Sequence, residues 1–86
     1  MPRRKTEYIS FHELSKTQEK VQLYIQHWVK TEKTIVPHQK IVAQMRAEGV
    51  KDSTIVDALK VLKRKGYVRK AIITSNKTFY VLLRTI

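Results

Sequence analysis

The chain has 86 residues, room for one small domain with a single core. Hydrophobic residues make up 42% of it, which excludes wholesale disorder, and the absence of Cys excludes a disulfide scaffold, a zinc–thiolate site and cysteine catalysis. Lys and Arg number 18 against 7 Asp and Glu, a net charge of +11 that calls for an anionic partner: nucleic acid first, an acidic membrane or acidic protein after it.

Residues 1–14 read as a basic and apolar N-terminal arm, and residues 15–86 as the folded domain. Arg3, Arg4 and Lys5 form a charge cluster that suits either a groove-reaching DNA-binding arm or a soluble tail. The cluster runs into Thr6 and Glu7 rather than an apolar stretch, unlike a signal peptide. Tyr8, Ile9, Phe11 and Leu14 are too apolar for a free tail and are expected to pack on the domain or on a partner. No apolar run approaches the ~20 residues needed to span a bilayer, so no membrane is expected and an intracellular, cytoplasmic setting fits.

The first helix starts at Ser15, which has the capping-box spacing to Gln18. Val21, Tyr24, Ile25, Trp28 and Val29 make its apolar stripe, and Gln18, Gln22, Gln26 and Lys30 its wet side. Thr34, Ile35 and Val36, closed by Pro37, predict a short strand. A second helix is expected from His38 to Glu48, with Ile41, Val42 and Met45 inward and Gly49 at its left-handed end.

Asp52, with Ser53 as the alternative, is expected to cap a third helix over 52–65. Its buried stripe is Ile55, Ala58, Leu59 and Leu62. Lys63, Arg64 and Lys65 suit its negative end before Gly66. Two β-rich segments follow, Tyr67 to Thr74 and Thr78 to Leu83, joined by a three-residue loop at Ser75, Asn76 and Lys77. The expected class is mainly α with a small antiparallel sheet (α+β), in the order α1-β1-α2-α3-β2-β3.

Two helices joined by a short turn and followed by a hairpin are the pattern of a winged helix-turn-helix. The third helix can then enter the ~12 Å major groove while the wing lies along the backbone. Leu14-Ser-Lys-Thr-Gln18, Val36-Pro37 and the stretch from Ser53 to Val68, above all Leu-x-x-Leu-x-x-x-Gly-Tyr-Val over 59–68, resemble the N-terminal winged-helix domain of LexA-type repressors. That resemblance implies DNA binding through the third helix and the wing. The self-cleaving, dimerising domain of that family has no counterpart in these residues.

The candidate DNA-binding residues are Ser53, Thr54, Val56 and Asp57 for any base reading. Lys60, Lys63, Arg64, Arg69, Lys70 and Lys77 are the candidates for phosphates. The base-reading set holds no Arg, Asn or Gln able to pair bidentately with a base. His12, His27 and His38 match no metal-ligand spacing. No nucleophile elbow or Gly-rich phosphate loop is present, so neither metal, cofactor nor enzyme activity is expected. Trp28 and Tyr24 lie on the inward stripe, which assigns them to the core rather than to base stacking.

Phe79-Tyr80-Val81-Leu82-Leu83 is apolar without alternation, which makes both faces of the hairpin hydrophobic. Ile73, Phe79, Val81 and Leu83, with Tyr8, Ile9 and Phe11, are therefore candidates for a partner or dimer interface, or for mutual coverage. Two readings result. One is a small DNA-binding regulator of transcription or replication, acting as a homodimer. The other is an accessory subunit that docks by its wing on a larger replication or recombination protein and adds non-specific grip on single- or double-stranded DNA. RNA binding is a third, resting on charge alone.

Overall fold

The computed structural model describes residues 14–86, so the arm cluster Arg3, Arg4 and Lys5 and the apolar residues Tyr8, Ile9 and Phe11 lie outside the described residues. Three helices, α1 (Lys16–Glu32), α2 (His38–Ala47) and α3 (Asp52–Arg64), pack with a three-stranded antiparallel sheet. Its strands are β1 (Val36–Pro37), β2 (Val68–Thr74) and β3 (Lys77–Leu82), in spatial order β1-β3-β2. The element order and α+β class are those expected.

α1 starts where its capping box places it. The Ser15 hydroxyl accepts from the Gln18 amide at 3.2 Å, and Gln18 Oε1 accepts from the Ser15 amide at 2.9 Å. The helix ends with Lys33 in the left-handed region at φ 58°, its N–H bonded to the Val29 carbonyl. Gln22, assigned to the wet side, is instead fully buried. Its Nε2 donates to the Arg84 carbonyl at 2.8 Å and to Gln26 Oε1 at 3.0 Å. Gln26 Oε1 also accepts from the Ile86 amide, so the C-terminal residues are strapped along α1. A 3.6-residue pattern shows one helix face, but not a later chain segment that covers the next.

β1 begins two residues later than expected and includes Pro37. Ile35 stays out of the sheet, and its carbonyl accepts from Trp28 Nε1 at 3.1 Å instead. Val36 pairs with Tyr80 and Pro37 with Phe79. Pro37 is both the last residue of β1 and the N-cap of α2, at φ −69° and ψ 140°, geometry its ring already prefers.

Asp52 is not the cap of α3. Lys51 holds that position without a side-chain cap bond, and Asp52 is the first helical residue. Its carboxylate turns to Arg46 on α2, with bonds of 2.7 Å and 2.5 Å. A fork-to-fork ion pair competes successfully for the carboxylate against a backbone amide. The hairpin loop has two residues, Ser75 and Asn76, not three, because Lys77 pairs with Thr74. Asn76 takes φ 69°, and a register shift between Ile72 and Thr74 absorbs Ile73 as the extra residue.

The core comprises Val21 and Ile25 of α1, Ile41 and Met45 of α2, and Ile55, Ala58, Leu59 and Leu62 of α3. Val36, Tyr67, Val68 and Tyr80 close it from the sheet side. Among the described residues, no helix is long and apolar enough to cross a membrane.

Candidate nucleic-acid interface

Burial of Ile55, Ala58, Leu59 and Leu62 turns the rest of α3 outward. At ~100° per residue, Ser53, Asp57 and Arg64 point directly away from the core. Val56, Lys60 and Lys63 lie on the flank towards α2 and the hairpin, where all three border clefts. Thr54 is exposed on the other flank, so the structure separates it from the remaining base-reading candidates.

The hairpin divides the other cations. Residues paired across an antiparallel ladder share a face, and successive residues alternate. Lys70 pairs with Tyr80 on the face that covers the helices, and Arg69 pairs with Val81 on the opposite face. Lys70 therefore joins Lys60 and Lys63 in one cleft, while Arg69 is directed elsewhere. Lys77 sits at the hairpin tip beside Pro37, His38 and Gln39, bordering a second hollow. The basic residues clustered in sequence between Lys60 and Lys70 thus fall into two sets in space.

The cleft between α3 and the hairpin has a volume of about 170 Å³. Lys60, Lys63 and Lys70 supply its charge, and among the described residues no acidic side chain borders it. Val56, Leu59 and the Tyr80 ring give it apolar walls. Tyr80 is buried, which raises its phenol pKa and keeps it neutral.

His38 is absent from the site residues expected from sequence, yet it borders this cleft and both neighbouring hollows. Its ring lies 5.8 Å from that of Tyr80. Its Nδ1 is buried without a protein hydrogen-bond partner. Burial, and then the charge of Lys70, lower its pKa below the ordinary histidine value. The sequence signal is its position directly after Pro37, which places it at the start of a helix but does not reveal what lies opposite.

At the start of α3, Asp52 would repel an approaching polyanion, but its partner is Arg46. The ion pair holds the Asp52 carboxyl below its usual pKa and raises that of Arg46. Both side chains are exposed, so the pair contributes little to stability and mainly offsets one acid's field. Asp57 stands on the outward sector and interrupts the positive surface.

The sheet's other face carries Pro37, Ala71, Phe79 and Val81, all half-buried, in line with the exposed Leu83. Ile72 and Ile73 project near the hairpin tip at 67% and 58% exposure. Of the interface candidates, Ile73, Phe79, Val81 and Leu83 are thus all accessible to some degree. Trp28 and Tyr24 pack against the core, their rings 6.4 Å apart, as their stripe implied.

No family model matches the chain, and no curated protein or solved structure matches it at a significant level.

Proposed function

We propose that this chain is a winged helix-turn-helix protein that binds duplex DNA through α3 and the hairpin wing, acting by binding rather than catalysis, in the regulation of transcription or replication. One observation carries the reading. Lys60 and Lys63 from α3 and Lys70 from the wing converge on a single cleft that no acid among the described residues borders, on a chain of net charge +11. A rod flanked by a ribbon, with cations between them, suits a groove and the phosphate row beside it.

A second reading is favoured by two features. The outward sector of α3 offers Ser53 and Asp57 near its start and, for bidentate base pairing, only Arg64 at its far end, while the sheet's outer face leaves Phe79 and Val81 half-buried and Leu83 exposed. An accessory subunit would dock by that face onto a larger protein and grip DNA without reading its sequence.

The test is competition among a duplex, a single strand and a structured RNA at one salt concentration, followed by a salt titration of the preferred ligand. Log affinity should fall with log salt by about 0.9 per phosphate neutralised on duplex DNA. Preference for one duplex sequence favours the regulator, and equal binding of all duplexes favours the accessory subunit. No retention of any nucleic acid in dilute buffer ends both readings.

A further inference from the structure

We propose that the cleft between α3 and the wing is a proton-linked seat for one phosphate group, in which Lys60, Lys63 and Lys70 hold the oxygens and His38 takes up a proton as the anion enters. The proposal rests on the nucleic-acid reading for the origin of that phosphate, a backbone diester. The cleft's chemistry stands apart from that reading.

The seat is specified by what converges on it. Three lysines from two elements border a hollow of about 170 Å³ whose other lining is His38, Val56, Leu59 and Tyr80. Lysines that border one hollow, with no carboxylate among them, make it a favourable place for an anion. His38 borders the same hollow and has a buried Nδ1 with no protein partner. A buried ring nitrogen in that condition is unusual.

The sign follows from the charges around the imidazole. Lining the same cleft are Lys60 and Lys63 from α3, Lys70 from β2 and the neutral Tyr80 phenol from β3, and Lys77 at the hairpin tip borders the neighbouring hollow. On its α2 side, Arg46 and Asp52 border the adjoining groove as a neutralised pair. The charges left over in this set are all positive, so together with burial they disfavour the imidazolium in the free protein. A phosphate reverses the local field and favours the imidazolium. Binding therefore consumes a proton, and affinity rises as pH falls through the histidine range.

The experiment follows the His38 ring protons of the full chain by NMR across pH 5 to 8. Assignment comes from the signal lost in His38→Gln. Three arms share one ionic strength: chloride alone, inorganic phosphate, and a short DNA duplex. His27, exposed on α1, reports any general effect of the medium.

The expected result is a His38 pKa higher by about half a unit or more in phosphate and in duplex than in chloride, with His27 unmoved. A pKa rise of about 1 on binding corresponds to a roughly tenfold gain in affinity across the titration. The triple variant Lys60→Gln, Lys63→Gln, Lys70→Gln should abolish the rise, and His38→Gln should flatten the pH dependence of duplex binding. Duplex binding with His38 unmoved in both anion arms overturns the proposal and leaves the nucleic-acid reading intact. A rise in phosphate, with a duplex that does not bind, supports the seat as a site for free phosphate and overturns the nucleic-acid reading instead.

Discussion

Gln22 is a fully buried polar side chain and His38 a half-buried one, and their surroundings differ. Gln22 Nε2 has two partners, Gln26 and the Arg84 carbonyl, and through Gln26 it also fixes the Ile86 amide. Gln22→Ala removes the donor and opens a cavity, so it should cost about 2 kcal/mol in urea denaturation and speed exchange of the Ile86 amide. An unchanged midpoint would mean that the strap contributes nothing to stability. His38 is burdened rather than supported, since burial and Lys70 depress its pKa in the fold. A base held below its unfolded pKa contributes stability that is complete above about pH 6.5 and diminishes as pH falls towards the native value. The unfolded chain binds the proton first, so urea midpoints should fall between pH 7 and pH 5, and His38→Gln should remove that part of the slope. An identical slope in the variant would show that other groups set the acid sensitivity.

At the scale of the element, α3 and the wing are placed by their ends as much as by their faces. Gly66 turns the chain from α3 into β2 at φ 83°, and a Cβ added there would meet nothing within 4 Å. Gly66→Ala should therefore cost only backbone strain, about 1 kcal/mol in thermal or urea melts. A loss several times larger would mean that the turn is held by more than its dihedral angles. Strand alternation yields a sharper prediction about binding. Replacing Lys60, Lys63 or Lys70 by Gln should lower the salt slope of DNA affinity by about 0.9 for each phosphate that is no longer neutralised. Arg69→Gln, on the other face of the sheet beside Val81, should leave the slope nearly unchanged. If Arg69→Gln is as damaging as Lys70→Gln, the phosphate row lies along the sheet edge and not in the cleft.

For the molecule as a whole, charge and packing act against each other. The net charge is +11, and the ion pairs Lys20 with Glu48 and Arg46 with Asp52 are both substantially exposed. Repulsion from the excess positive charge should make the free protein more stable as salt rises from about 0.01 to 0.15 M, as the screening length contracts from ~30 to ~8 Å. DNA affinity should fall over the same interval. Parallel responses of melting temperature and affinity to salt would show that self-repulsion does not limit the fold.

Residues alone determined the order of the elements, the capping box at Ser15, the buried stripe of α3 and the left-handed glycines. Each depends on neighbours within about one helical turn or one loop, where spacing and backbone sterics suffice. Tertiary structure decided which cations meet. It turned Lys70 rather than Arg69 towards the helices, brought His38 and Tyr80 to the lysines of α3, drew Asp52 from its cap to Arg46, and laid the C-terminal residues over Gln22. Those outcomes depend on how distant segments pack against each other, and one-dimensional periodicity carries no information about that packing.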